Sequence, residues 1–364
     1  MKLSSVFLSA AAVLAVVACS SSSSNNGGST SSSGGSACQA DPAKNSYCSS
    51  CTVAANAVPS TCKAPRTVNA CCTFVAPPTA ELARATGLNR YSASAGDTAV
   101  NLACLDTPGT VGTPKTVTLK GFVRLFSSGN DSTGVKIEIY KEGKDGALGE
   151  LVGTPVTTTS NDAVETPKPE WLKKCPDGGC SFRAYSYAGV PTETPLIIKT
   201  SDGTGSAQWA PLYDYNIFFA NSQVAADESV TYEASAVATT DLNTVASAAG
   251  GFTIKPDKGL LAGEVHDCGD IRVSGATVDT DVQHEGDMFY FGENEADPLP
   301  DKTQTSTSKL GLFGTLNLPT GTPIRLSALG KYQGQTVLLG HYTVQAFPGS
   351  VTALSLRGRR PWQQ

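Results

Sequence analysis

Eleven cysteines dominate the reactive side chains of this 364-residue chain, against three histidines. Six of the thiols, Cys38, Cys48, Cys51, Cys62, Cys71 and Cys72, crowd into residues 38–72. Cys104, Cys175, Cys180 and Cys268 are spread along the body, and Cys19 ends an apolar run. In an oxidising compartment such thiols form disulfides. Sequence alone does not select the pairing within the cluster. Neighbouring Cys71 and Cys72 would strain a bond to each other, so they are expected to take different partners. Zinc is the rival chemistry: Cys48-Ser-Ser-Cys51 has the spacing of half a site. The other half is wanting, because Cys71-Cys72 is adjacent and the segment has no His. A redox Cys-x-x-Cys would sit in a strand–helix–strand unit, and none surrounds it. Disulfides are the expectation, with zinc and redox chemistry as alternatives.

His266, His284 and His341 stand in neither His-x-x-Glu nor His-Glu-x-x-His spacing, so no zinc-peptidase ligands are visible. A Gly-x-Ser-x-Gly elbow, a Walker loop and a dinucleotide fingerprint are all absent. The remaining candidate is an acidic stretch, 279–301. Asp279, Asp281, Glu285, Asp287, Glu293, Glu295, Asp297 and Asp301 surround Phe289-Tyr-Phe291. Carboxylates there could bind Ca²⁺ and exposed rings could stack on sugars, although the spacing is not that of an EF-hand. The plainer reading is a solvated loop whose rings alternate into a core. No catalytic residue, metal ligand or cofactor is assigned, and the chain is not expected to be an enzyme.

The amino end sets the compartment. Met1-Lys2 precedes an apolar run of small residues, Val6 to Ala18, too short to span a bilayer, which takes about 20 residues. A basic start, an apolar centre and small residues before a break read as an export signal. Val16-Val17-Ala18-Cys19 resembles the lipobox of bacterial lipoproteins. That resemblance implies that Cys19 is acylated and becomes the new amino terminus, anchored in a membrane by two or three chains. Ser20 after it resembles the pattern sorted to the outer membrane. Residues 20–36 are only Ser, Asn, Gly and Thr. With no apolar side chain to bury they form a flexible tether, with a span of roughly 20–25 Å.

Composition narrows the rest. Without residues 1–18 the chain carries 26 basic and 32 acidic residues. It lacks the positive surface that neutralises phosphate, so no nucleic acid is expected as partner. Arg357-Gly-Arg-Arg360 reads as a short solvated tail. Only 16% of residues are charged, while Gly numbers 36 and Pro 21. Turn formers with abundant Thr, Val and Ser favour an exported β-protein. Acylation of Cys19 would leave ten cysteines, an even number.

Strands follow from period-2 alternation. It is clear at Val117, Leu119 and Phe122 to Phe126, and again over Val135 to Tyr140, with turn chemistry at 129–134 between. Further strands are expected at Ala99–Leu105, Ser181–Tyr187, Leu196–Thr200, Tyr215–Ala220 and Val230–Val237. Thr240 to Ala249 reads as a helix, capped by Thr240 and ended by Gly250-Gly251. Lys255 to Gly259 is a boundary loop.

A repeat is also present. Gly121-Phe-Val lies 13 residues before Gly134-Val-Lys-Ile, and Gly263-Glu-Val lies 12 before Gly275-Ala-Thr-Val. Thr200 to Gly205 aligns with Ser306 to Gly311, which puts a 35-residue insertion in the first copy. That insertion holds Cys175-Pro-Asp-Gly-Gly-Cys180, whose turn can bring its two thiols together. Cys104 and Cys268 are then left as a pair.

Gly263-Glu-Val265, Gly275-Ala-Thr-Val278, Thr305 through Gly311-Leu-Phe313, and Asn317-Leu-Pro-Thr-Gly321 before Ile324 resemble carboxypeptidase-regulatory-like domains. The resemblance covers about 100 residues of the second copy and is looser in the first. It implies an all-β fold of two tandem transthyretin-like (prealbumin-like) sandwiches after a disulfide-rich segment. Purine-degrading transthyretin-like hydrolases end in Tyr-Arg-Gly-Ser, and this chain does not.

The expected organisation is a signal peptide at 1–18, a tether at 19–36, a Cys-rich module and linker at 37–114, and sandwiches at 115–255 and 256–358. The expected role is that of a non-catalytic outer-membrane lipoprotein. It would be held to the membrane by its lipid and display modules to a glycan or an envelope protein. A carbohydrate- or Ca²⁺-binding accessory module using 279–301 is the first alternative, and a hydrolase with an unrecognised site the second.

Overall fold

The computed structural model describes residues 87–91, 100–104, 109–126, 131–165, 181–282, 284–294, 298–333, 335–358 and 360–362. The signal, the tether, the cluster at 38–72 and Cys175–Cys180 lie outside them. Ten strands precede the helix: β1 (Asn89–Arg90), β2 (Thr116–Leu125), β3 (Val135–Glu142), β4 (Leu148–Thr157), β5 (Ala184–Pro191), β6 (Leu196–Asp202), β7 (Trp209–Ala210), β8 (Leu212–Ile217), β9 (Ser229–Thr231) and β10 (Ala234–Ala238). Helix α1 (Thr239–Gly250) is followed by β11 (Gly259–Val265), β12 (Val273–Ser274), β13 (Thr277–Thr280), β14 (Glu285–Tyr290), β15 (Leu312–Leu318), β16 (Pro323–Tyr332), β17 (Gln335–Gln345) and β18 (Val351–Leu356).

The expected β-class is therefore what the chain adopts, in sandwich-like layers. An eight-stranded sheet, in the order β14-β15-β11-β18-β8-β6-β3-β4, runs through strands from both expected sandwiches. The join is the parallel pairing of β18 with β8, Val351 to Leu354 against Leu212 to Tyr215. The expected boundary at residue 255 is thus not a break in the sheet. On one part of this sheet lies β5-β2-β10-β7, with β9 also on β2. On the other part lies β13-β16-β17.

Alternation on β6 shows that the two flanking layers take opposite faces. Leu196 and Ile198 enter the core with Leu119, Val123, Ile137 and Tyr187. Ile197 between them enters the core with Val265, Val278, Phe313 and Leu326. α1 closes a third apolar cluster, Leu242 and Ala246 meeting Leu260, Leu316 and Val351.

The repeat landmarks correspond in structure. A Cβ on Gly121 would lie 1.8 Å from the Tyr232 carbonyl oxygen and 3.4 Å from the Tyr185 ring. One on Gly263 would lie 2.5 Å from the Leu354 oxygen and 2.5 Å from the Phe313 ring. Each Gly sits on a strand paired parallel on one side and antiparallel on the other. Gly134 and Gly275 share a left-handed φ, 83° and 84°. The third landmark differs from the expected alignment. Thr307 holds the Gly275-Ala276 turn, but its counterpart at Gly134-Val135 is Thr158, not a residue of 200–205.

Some local expectations are corrected. Residues 100–104 are not strand, as Asn101 Oδ1 accepts the Ala103 amide in a turn instead. Val230–Val237 divides into β9 and β10, and β4 was not expected. The helix N-cap falls on Ala238 rather than Thr240, while Gly251 ends it at φ 76° as anticipated. The Arg357–Arg360 segment is no solvated tail. Arg357 pairs with Asp270, and Arg360 lies 4.9 Å over the Trp362 ring.

Residues assigned to the linker are straps. Leu88 and Val100 enter the second core, and β1 pairs with β12. Arg90 Nε meets Asp267 at 3.1 Å, and Asp267 also accepts the Asn101 amide at 3.0 Å. Cys104 and Cys268 are disulfide-bonded across 164 residues. Farther on, Glu193 accepts the Gly112 amide at 2.8 Å, fastening the start of the first half.

Candidate functional site

The face of the long sheet that carries α1 is apolar at Leu212, Leu260 and Val351, then becomes polar along the same strands. Two residues on from Leu212, β8 presents Asp214 on the same face. The register sets Asp214 opposite Ala353 and Glu264 opposite Ser355. One strand, β18, therefore separates the two acids. Between this face, α1, and the ends of β2 and β10 opens a cleft of about 380 Å³. Leu242, Val245, Phe126, Phe289 and Leu316 contribute to its apolar wall, and Arg124, Asp214, Tyr232, Glu264 and Arg272 to its polar wall. That volume and mixture suit a small-molecule site.

The two carboxyls have opposite electrostatics. Burial alone would raise the Glu264 pKa, but His266 and Arg272 outweigh it and hold it at about 2. Arg272 forks onto Glu264 with Nη2 2.8 Å from Oε1 and Nε 3.2 Å from Oε2. His266 Nε2 is 2.6 Å from Oε2, and its Nδ1 is 2.7 Å from Asp270. Burial disfavours charge on His266 as well, yet Asp270 and Glu264 prevail and raise its pKa. Asp214 is pushed up to about 7, first by burial and then by the negative charge of Glu264. The Tyr232 hydroxyl donates to its Oδ2 at 2.5 Å and moderates the rise. Nearby, Arg124 Nη2 bridges Glu165 at 2.8 Å and Glu233 at 2.6 Å.

Two carboxyls pushed apart in pKa form an acid/base pattern. Here both oxygens of Glu264 are engaged by cations, which leaves Asp214 as the one open carboxyl of the two.

The acidic stretch 279–301 does not converge. Asp279 is buried and accepts the Thr280 amide. Asp281 accepts from the Arg325 amide at 2.8 Å, and Glu285 pairs with Lys255 at 2.9 Å. Glu293 meets Lys309 at 3.5 Å, and Asp301 caps Thr303. The side chain of Asp287 and all of Glu295 and Asp297 lie outside the described residues. Among the described residues no three His, Cys, Asp or Glu gather in a metal-holding group. The aromatic run alternates inward: Tyr290 is buried with its hydroxyl accepting the Val278 amide, and Phe291 is buried. Phe289 lines the cleft.

Sequence reading passed over Asp214 because the strand was expected to begin at Tyr215. The signal was present in Leu212-Tyr-Asp-Tyr-Asn216, where two tyrosines alternate with polar residues. Glu264-Val-His266 has the same period across the end of β11.

No family model and no curated protein matches the chain. Among solved structures, the shaft pilin SpaA from Lactobacillus rhamnosus GG is 11% identical, with 67% of this chain and 99% of that chain covered and a TM-score of 0.18. A streptococcal ancillary pilin is 12% identical, over 66% of this chain and 68% of that one, with a TM-score of 0.19. Likeness at that level carries no argument about fold or activity.

Proposed function

We propose that the protein is a non-catalytic, lipid-anchored component of the bacterial cell envelope, whose β-sandwich body is displayed on a tether. The carrying observation is the order of segments at the amino end. An apolar run closes on Val-Val-Ala-Cys19 and is followed by 17 residues of Ser, Asn, Gly and Thr. Burying acyl chain stabilises the bound state by about 0.8 kcal/mol per CH₂, so two chains anchor durably. The strapped β-body fits a displayed module, since disulfides persist in exported proteins. The outer membrane is the proposed location, on Ser20. Display to a glycan or an envelope protein is favoured over Ca²⁺ or sugar binding at 279–301, whose described acids have separate partners.

Labelled palmitate fed to a Gram-negative host expressing the full chain tests this. The wild type should take up label and fractionate with outer membrane. Cys19→Ala should take up none and persist as a precursor or in soluble form. An unacylated amino terminus on the mature wild-type protein, read by mass spectrometry, would refute the anchor.

A further inference from the structure

We propose that the cleft beneath α1 binds a primary amine carrying an apolar chain or ring, with the ammonium group seated on Asp214. The inference goes beyond envelope anchoring and does not depend on it.

Hydrogen-bonding capacity in the polar wall points to the ligand's chemistry. Several strong donors already serve carboxylates. Arg272 and His266 hold Glu264, Arg124 bridges Glu165 and Glu233, and the Tyr232 hydroxyl serves Asp214 Oδ2. Asp214 makes no other side-chain hydrogen bond or ion pair among the described residues, and it is only half-buried. Asp214 therefore keeps an open acceptor oxygen toward the cleft, and the group that complements it is a donor.

Charge agrees with this. On the β2 side one cation, Arg124, faces two carboxylates, Glu165 and Glu233. A ligand carboxylate placed beside Asp214 would add negative charge next to Glu233 and Glu264. An ammonium group supplies a donor and a countercharge to ionised Asp214, and it compensates the carboxylate for lost water.

The apolar half fixes the rest of the molecule. α1 contributes only Leu242 and Val245, and Phe126, Phe289 and Leu316 complete that wall. No titratable group faces the cleft from the helix. Asp214 is faced by Tyr232 and Glu233 ahead of β10, Arg124 on β2, Ser355 on β18, and Glu264 and Arg272 from the β11 side.

The test is calorimetric titration of the full chain with phenylpropylamine, phenylpropanol and phenylpropionate. The amine should bind at least about tenfold more tightly than the alcohol, and the carboxylate least of all. Because binding requires ionised Asp214, amine affinity should rise about tenfold from pH 5.5 to pH 6.5 and level off above about pH 7.5. Asp214→Asn should erase the amine preference and the pH slope together. Val245→Trp should exclude amine and alcohol alike by filling the cleft. Equal binding of amine and alcohol, a preference for the carboxylate, affinity that falls as pH rises, or no binding at all would overturn the proposal. Those wild-type comparisons stand even where a variant fails to fold.

Discussion

Thr158 and Thr307 hold the same hydrogen-bonding position in the two halves of the chain. Thr158 Oγ1 accepts the Val135 amide at 3.0 Å and donates to the Ser132 carbonyl at 2.5 Å. Thr307 Oγ1 accepts the Ala276 amide at 3.0 Å and donates to the Val273 carbonyl at 2.8 Å. The main chains match too: Gly134 and Gly275 each donate to the threonine carbonyl at 2.8 Å. A left-handed glycine turns the chain into a core strand and leaves buried polar groups, and one threonine satisfies them on both sides.

Replacing either threonine by Val keeps the shape and strands a buried amide and carbonyl. Each change should destabilise by about 2 kcal/mol, the cost of unsatisfied buried polar groups. The two sites share no partner, so the double variant should lose the sum within roughly 0.5 kcal/mol. Urea midpoints at constant slope measure both. A loss near zero would mean that water replaces the hydroxyl.

Much of this architecture was legible. Alternation located β2 and β3, because alternate residues of each, Val117 and Leu119 on one and Val135, Ile137 and Ile139 on the other, enter the same core. Gly121 and Gly263 were visible as a pair because their role is purely steric. Thr158 was not, because it lies 24 residues after Gly134 whereas Thr307 lies 32 after Gly275. Loop length between two contact points costs little in free energy, so spacing drifts while geometry persists. The cleft was hidden for another reason: Asp214, Glu264 and Arg124 come from three distant strands, and only the parallel β8–β18–β11 pairing assembles the first two.

Gly121→Ala and Gly263→Ala should both be severe. The new methyl would meet backbone oxygen at 1.8 Å and 2.5 Å, and backbone cannot rotate away as a side chain can. A loss above about 3 kcal/mol is expected at each, in the range of overpacking and more. Gly321→Ala, with nothing within 4 Å but φ at 72°, should lose only about 1 kcal/mol from backbone strain. Thermal midpoints for the three variants should rank accordingly. A mild Gly121→Ala would show that β2 can withdraw from Tyr232.

The Cys104–Cys268 bridge closes a loop of 164 residues. In the chain-entropy model a loop of that size is worth at most about 5 kcal/mol. It also pins the strap whose Asn101 and Arg90 contact Asp267. Cys104→Ser with Cys268→Ser should lower stability by several kcal/mol and expose 87–104 to protease before the sheets open. Proteolytic fragments mapped over time would show cuts there first. Simultaneous cutting throughout would mean that the strap is held by its other contacts.

Two partly buried carboxyl–tyrosine hydrogen bonds tie the long sheet to its flanking layers and make stability pH-dependent. Tyr232 donates to Asp214 at 2.5 Å on one face, and Tyr342 on β17 donates to Glu142 on β3 at 2.6 Å on the other. Burial lifts each acid to about 7, from ordinary values of 3.8 and 4.5. A carboxyl raised on folding stabilises fully below its unfolded value, and that contribution is lost as pH climbs through the folded one. His266, also raised, acts in the same direction above its ordinary 6.5. Glu264, held at about 2, and Asp270, also lowered, act oppositely and lose their contribution as pH falls below about 4. Stability should therefore peak near pH 4 to 5 and decline toward pH 8, by on the order of 2 kcal/mol for each carboxyl–tyrosine pair once partial solvent access is allowed for. Urea unfolding from about pH 2.5 to pH 8.5 should trace that dome. Asp214→Asn combined with Glu142→Gln should flatten the alkaline side up to about pH 6.5, leaving the decline from His266 above that and the acid side intact. A curve that rises from pH 6 to pH 8 in the wild type would show that both acids are already ionised in the folded protein.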